Sequence, residues 1–486
     1  MSQPIRGIKR PVRIRQSSQG CRGADSPCHA TNAVDQLPTP CSAGVGELRT
    51  IMRPMRCAAI GLALLCLSIG PTLAQPVLVS LQDVLTRADQ HPDVSIARAD
   101  VEAAEGGLIA ADRLPLPIVS ASAASIDLQN GIGPGSWTGG KRLDKGVGID
   151  WTWERGDKRS LRTRSAESGL EASRQDQAEA LLTRRIAIAS AYWSLLAAQD
   201  READSQEMLR SAEQMADLSR RRLEKGDISE QEAARVSIET ERTRSDDAAL
   251  RTARELAAVA LAQAAGLSGF HPRAEPNWPT YPARMRTDHP RSAATAPEKR
   301  ETAPPTITGD QIDARPDVRA AQARVRAARA ALDLARSLQI TDVTIGGGIN
   351  NYPPDQRASV QFRAQFPWQV NYRYEGEIRQ ALGALQRAEE SLRQVTLSAQ
   401  AELGALALQR VATASRLAGI ESQILPRARE VLDRSEAAYS RGATPLTELL
   451  DARRTYRAVR LDAIQARLDA AQADTEWRLR TGSALK

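Results

Sequence analysis

The chain has 486 residues, a formal net charge of +7, an apparent pI near 9.3, and only 3% aromatic residues. That length allows two to three domains, and a composition rich in Ala, Arg, Leu, Glu and Gln favours long helices over a compact mixed core. The basic balance does not point to nucleic acid: about nine Lys and Arg against three Asp and Glu precede Cys57, and the remainder is close to neutral, without interleaved aromatics or a nucleic-acid motif.

Met52-Arg53-Pro54-Met55-Arg56 is a basic segment, and the uninterrupted apolar stretch Cys57 to Ile69 follows it. This is the anatomy of a secretory signal, too short to span a bilayer. Thr72-Leu73-Ala74 before Gln75 is a small-x-small cleavage pattern, so the expected mature chain starts near Ala74-Gln75, with 52–74 the signal. Residues 1–51 are then either a non-native leader, with translation starting at Met52 or Met55, or an upstream extension, and the first is favoured. Cys66 follows the bulky Leu65 where a lipid-attachment signal wants a small residue, so simple cleavage is expected. All five cysteines (Cys21, Cys28, Cys41, Cys57, Cys66) precede the cut, which leaves the mature chain to be stabilised by packing or assembly. No later stretch approaches ~18 consecutive apolar residues, so no transmembrane helix is expected.

From there the chain says nearly the same thing twice. His91-Pro92-Asp93-Val94 is followed by Ala97, Val101, Ala103, Ala104, Leu108 and Ala111. Arg315-Pro316-Asp317-Val318 is followed in the same register by Ala321, Val325, Ala327, Ala328, Leu332 and Ala335. Two repeats are expected, 75–269 and 307–486, separated by a Pro-rich linker or belt at 270–306. In the first, a helix runs from Leu81 to about Arg113 and ends at Leu114-Pro115-Leu116-Pro117. Val119 to Ala123 and Ile126 to Leu128 alternate loosely as a half-buried strand, a glycine-rich loop follows, and Val147 to Trp153 alternates cleanly. Residues 158–225 hold no proline and repeat apolar positions at helical steps, which predicts a rod of roughly 100 Å. Val343 to Ile345, Val360 to Phe366 and a second rod from Arg373 to Ser440, broken only at Pro426, mirror this. Gly226 and Gly442 end the rods in matching turns, with Ser229 or Thr444 placed to cap the return helices, which end near Gly266 and Gly482. The return helix and the opening helix of one copy together equal the rod in length, so the two are expected to stack end to end along it.

Two strands per copy give four, too few to close a barrel, and open edges are forbidden in lipid. Three chains would supply twelve strands, an even number within the bacterial outer-membrane range. Trp151, Trp153, Phe366 and Trp368 stand at strand ends, where membrane-interface aromatics belong. The expected fold class is mainly α with a small β part, a duplicated strand–strand and long-helical-hairpin unit.

At this point the chain resembles the TolC-like outer-membrane efflux proteins over about Leu81 to Gly482. Trp151-Thr152-Trp153-Glu154-Arg155-Gly156-Asp157-Lys158-Arg159 followed by Arg162, and Gly226-Asp227-Ile228-Ser229 with the Ala/Arg-rich helix after it, resemble the CzcC-like heavy-metal branch. The resemblance implies a homotrimer with a twelve-strand β-barrel in the outer membrane and an α-helical barrel in the periplasm. It implies a passive exit duct without cofactor, for heavy-metal cations or small toxic compounds, fed by a periplasmic adaptor and an inner-membrane, proton-driven pump. It also implies a working site at the tip: Glu448 and Asp451, six and nine residues after Gly442 and on one helix face, form carboxylate rings under threefold symmetry. Glu232 takes the equivalent place in the first hairpin, and Tyr439 matches a tyrosine that holds the closed state. A basic residue of that closed network is replaced here by Thr444, with Arg441 nearby but out of register. The tip turns at Gly226 and Gly442, with Arg441 and Thr444, are the expected adaptor contacts.

The isolated mature-chain histidines His91, His271 and His289 form no metal-ligand pattern. No nucleophile-elbow, P-loop or dinucleotide motif marks an enzyme. A duct for type I protein secretion and a non-channel periplasmic coiled-coil protein remain the alternatives.

Overall fold

The structure, a computed structural model, describes residues 77–124, 143–267, 271–279, 308–352 and 356–483. The expected signal, its cut, the Ile126–Leu128 segment and the glycine-rich loop lie outside them.

A short strand β1 (Val77–Val79) leads to α1 (Leu81–Leu85). Ser80 caps α1: its Oγ accepts the Asp83 N–H at 3.2 Å, and the Asp83 carboxylate accepts the Ser80 N–H at 3.3 Å. A 3₁₀ turn (Thr86–Gln90) follows, and then α2 (Pro92–Ala111). The single opening helix expected over 81–113 is therefore interrupted at His91, which is extended (φ −69°, ψ 141°) because a residue before proline is kept out of the helical region. The second copy interrupts identically: α5 (Gly309–Asp313), extended Arg315 (φ −66°, ψ 137°), then α6 (Pro316–Ser337).

Strands β2 (Ile118–Ala124) and β3 (Asp144–Trp153) feed α3 (Lys158–Glu224), a single helix of 67 residues, and α4 (Glu230–Ala264) returns alongside it. After β4 (Pro272–Ala274), the second copy supplies β5 (Val343–Tyr352), β6 (Gln356–Gln365), α7 (Glu375–Gly419), α8 (Leu425–Ser440) and α9 (Leu446–Arg480). Pro426 does not break the second rod. Lacking an amide to bond four residues back, it is accommodated by a π turn over Ile420–Ile424, where the Leu425 N–H reaches the Ile420 carbonyl.

Four strands pair antiparallel in the order β2-β3-β5-β6. The helices lie in the same order: α2, α3, α6 and α7 are successive neighbours near the sheet, and α4, α3, α9 and α7–α8 are neighbours away from it. End-to-end stacking is present, since the turn at Gly266 that closes α4 sits against His91 at the start of α2. The core lies halfway along α3, where Ile188, Tyr192, Leu195 and Leu196 meet Leu261 of α4 and Ile464 of α9. β4 pairs in parallel with β1 here, and Trp278 stacks on Trp193 at 5.9 Å between ring centroids. Part of the Pro-rich stretch thus belongs to the core, although none of it was expected there.

The register separates two chemistries on the sheet. On one face lie the rows Val119–Ile149–Gly347–Phe362 and Ala121–Val147–Ile349–Val360, with Trp151–Ile345–Ala364 nearer the helices. On the other lie Ser122–Gly146–Asn350–Ser359, Ser120–Gly148–Gly348–Gln361 and Thr152–Thr344–Gln365. This is the period-two alternation of a sheet with one apolar and one polar face. The large apolar side chains are exposed in the single chain, from Ile149 at 52% to Phe362 at 86%.

Candidate functional site

The ends of the two helical hairpins are built by the same backbone device. At Gly226 (φ +79°) the Gly226 N–H bonds the Leu223 carbonyl at 2.9 Å, and the Asp227 N–H reaches back to Arg222 at 2.9 Å. At Gly442 (φ +73°) the matching bonds run to Tyr439 at 3.0 Å and from Ala443 to Ala438 at 2.9 Å. These are Schellman closures, which need a residue in the left-handed region. No atom lies within 4 Å of where a Cβ would stand at either glycine, so the requirement is conformational and not steric.

The return helices start differently. Ser229 caps α4 in a reciprocal box with Glu232, accepting the Glu232 N–H at 3.2 Å while Glu232 accepts the Ser229 N–H at 3.4 Å. Glu232 is therefore engaged in closing its helix. In the second hairpin the cap position falls on Pro445 and not on Thr444, whose shielded hydroxyl has no protein hydrogen-bond partner. Arg441 closes α8 and is exposed.

Glu448 and Asp451 both stand exposed on one side of α9, while Leu446, Leu449 and Ala452 bury the opposite side. Tyr439 is half-buried, and the Arg222 guanidinium lies 5.5 Å from its ring centroid. That cation–π contact ties the end of α8 to the end of α3. Arg222 escaped the sequence reading because nothing along the chain says that the two tips are adjacent.

A row of arginines on α9 was also missed. Arg454 bonds Glu239 of α4 at 2.6 Å, Arg457 bonds Asp246 of α4 at 2.8 Å, and Arg460 reaches Asp204 and Glu207 of α3. Arg453 bonds Glu436 of α8 at 2.8 Å. These pairs border a cleft of about 260 Å³ between the hairpins, with Met208, Met215, Val236, Leu432 and Leu450 on its walls. The Arg454 hydrogen bond, against the opposing effect of burial, holds the Glu239 carboxyl below its ordinary range. Burial raises that of Asp204, with Arg460 pulling the other way. The three-residue spacing of Arg454, Arg457 and Arg460 was a readable signal, but only the hairpin register supplies its acidic partners.

A second charged cluster lies within the second copy and ties the start of α6 and the end of α9 to α7. Arg315, 3% exposed, bonds Asp317 at 2.7 Å and Glu402 at 2.8 Å, and Arg480 bonds Glu402 at 3.1 Å. At the base of the sheet the buried Lys158 donates to Asp342 at 2.7 Å and to the Ile340 carbonyl at 2.7 Å. Arg162 donates to the Ala111 carbonyl at 2.9 Å and pairs with Glu154 at 2.9 Å. Much of the 151–162 motif is thus a clasp between strands and helices.

Trp151, Trp153, Phe366 and Trp368 are exposed and lie at the helix-proximal ends of β3 and β6, where Tyr372 joins them. His91 serves as a helix cap, its Nδ1 accepting the Asp93 N–H at 3.2 Å. His289 lies outside the described residues. Among the described residues there is no cluster of three His, Cys, Asp or Glu suited to a metal ion, and no helix is long and apolar enough to cross a membrane.

The sequence profile described as "Outer membrane efflux protein" matches residues 86–267 and 309–483. No curated protein matches the chain at the level of sequence. Solved structures share the fold. CusC, whose crystal structures are described in terms of folding and transmembrane channel formation, is 18% identical with a TM-score of 0.68, covering 83% of this chain and 92% of its own. The CmeC outer membrane channel of Campylobacter jejuni is 15% identical with a TM-score of 0.66, covering 83% and 85%. The outer membrane protein VceC of Vibrio cholerae is 16% identical with a TM-score of 0.65, covering 84% and 97%.

Proposed function

Because the chain belongs to the outer membrane efflux protein family, a family of transport ducts and not of enzymes, we propose that three copies close into one channel through the outer membrane and into the periplasm. The observation that carries this is the matched pair of open edges. Strand order β2-β3-β5-β6 and helix order α2-α3-α6-α7 leave β2 above α2 on one side and β6 above α7 on the other. Both helical edges expose apolar side chains: Ile96, Ile109, Leu256 and Val259 on α2 and α4, and Leu382, Leu397, Leu408 and Val411 on α7. A head-to-tail contact between unlike edges closes a ring when the rotation allows it, and closure pairs the strand edges that lipid would not tolerate.

In this reading the polar sheet face lines the bore, the apolar face with Trp151, Trp153, Phe366 and Trp368 meets lipid, and the mature protein starts near Ala74-Gln75. The hairpin tips at Gly226 and Gly442, with Arg441 and Thr444, meet a periplasmic adaptor, and a proton-driven inner-membrane pump supplies the work. Tyr439 with Arg222 holds the tips together. Glu448 and Asp451, with Glu232 as a weaker contributor already bonded to its own helix, form the acidic constriction, which fits cations such as heavy-metal ions. The decisive experiment is the particle mass of the detergent-solubilised protein together with planar-bilayer recording. A trimer with discrete conductance steps is expected; a monomer that stays soluble without detergent would overturn the proposal.

A further inference from the structure

The rows across the polar sheet face hold one charged arrangement that the efflux reading does not use. Asp150 of β3 is paired with Gly346 of β5, and Gly346 with Arg363 of β6, so the three stand in one row with glycine in the middle. The side chains meet across that glycine: Arg363 Nη2 donates to both Asp150 carboxylate oxygens, at 2.8 and 2.7 Å, and Nε donates to Oδ1 at 3.1 Å. A Cβ at Gly346 would overlap the Asp150 carboxylate, so only glycine lets the pair lie flat on the sheet. Two rows further along this face Gly146 is covered in the same manner by Asn350, which itself donates to Gln361 at 2.7 Å. Over positions 146–152, 344–350 and 359–365 of this face the other residues are Gly, Ser, Thr, Asn and Gln; the next carboxylate, Asp144, stands at the far end of β3.

We propose that Asp150 and Arg363 are a charge-cancelling pair that keeps the wall of the β-barrel bore wide and electrically neutral. The proposal rests on the channel reading above, in which this face is the inner wall. A bidentate guanidinium–carboxylate pair cancels its charge within a few ångströms, and threefold symmetry places three such pairs at one height. The barrel then passes ions of either sign, and discrimination is left to the tip. Breaking the pair converts a neutral belt into a ring of three like charges, the kind of ring that selects ions in a pore.

The test is reversal potential under a salt gradient, recorded from single channels of the full chain in planar bilayers. Asp150→Asn leaves three arginines and shifts selectivity several-fold towards anions; Arg363→Gln leaves three carboxylates and shifts it several-fold towards cations. The double variant returns to the wild-type ratio. Gly346→Ala, which pushes Asp150 off the wall, lowers the conductance. Unchanged selectivity in both single variants, or shifts in the same direction, overturns the proposal while a conducting wild type leaves the channel reading intact; a non-conducting wild type sinks both. Should a single variant fail to assemble, Ser120→Cys in the neighbouring row decides. A water-soluble thiol reagent bearing a sulfonate must react there and alter selectivity, while Val119→Cys on the opposite face is protected. Protection of Ser120→Cys overturns the proposal.

Discussion

Glu448 and Asp451 are exposed on one face of α9, three residues apart. If threefold symmetry turns them into rings, the double variant Glu448→Ala with Asp451→Ala loses much of its preference for cations in single-channel recordings. An unaltered preference would put both side chains off the pore wall. Asp317 makes a prediction of a different kind. Burial raises its pKa, but the hydrogen bonds and charge of Arg315 outweigh this, and the net value lies below the usual carboxylate range. A depressed carboxylate contributes stability above its unfolded pKa of about 3.9 and loses it as pH falls through the folded value. Asp317→Asn therefore lowers the thermal midpoint at pH 7, and the difference from wild type closes below about pH 4. A difference that persists at acid pH would mean that the residue acts other than through its charge, since Asn keeps an oxygen able to accept the Val318 N–H. All three carboxylates are visible in the sequence as helix residues, but the burial that separates Asp317 from the other two is not. Arg315 reads as an ordinary helix-start arginine until Glu402 of α7 is brought beside it.

The hairpins are defined by their ends and by what zips them. Gly442→Ala forces an L-residue into the left-handed region at a cost of about 1–2 kcal/mol, with no steric contribution, since the site is open. Hydrogen exchange at the last turn of α8 and the first of α9 rises, while the core of α3 is unchanged. The arginine row grades by burial. Arg454, 57% exposed against Glu239, contributes about 0–1 kcal/mol. Truncating Arg460, 29% exposed against a 13% exposed Asp204, costs about 2 kcal/mol, because it leaves a partly shielded carboxylate unpaired. Thermal shifts of Arg454→Ala and Arg460→Ala should keep that order, and the reverse order would show that the Arg460 pair is offset by its own desolvation. At this scale the long helices, the turn glycines and the Ser229 cap follow from helical period and turn chemistry. The break at His91 follows from proline and was nonetheless missed. The π turn at Ile420–Ile424 could not be read, because proline says only that an amide is missing and not how a packed rod will adjust.

For the proposed trimer, the exposed apolar edge on α7 is the feature to attack. Leu408 is 60% and Val411 49% exposed in the single chain. Replacing both with Glu buries charge in any contact that covers them, so Leu408→Glu with Val411→Glu shifts the solubilised protein from trimer towards monomer by sedimentation or light scattering. Retention of the trimer would place the subunit contact elsewhere.

Duplication, rod length, tip glycines and alternating strand faces all come from short-range chemistry: a period of two or 3.6, a proline, a residue able to adopt positive φ. A linear chain carries those in full, which is why the two-copy plan of strands and hairpins is legible in the sequence alone. Partners distant along the chain are another matter. Arg222 over Tyr439, Arg315 on Glu402, the α9 arginines on α3 and α4, and Asp150 reaching Arg363 across Gly346 all depend on which strand or helix lies beside which. That order, β2-β3-β5-β6 over α2-α3-α6-α7, sets the two copies side by side, so that β3 and α3 of the first meet β5, α6 and α9 of the second. It is set by side chains packing in three dimensions, and no local pattern encodes it.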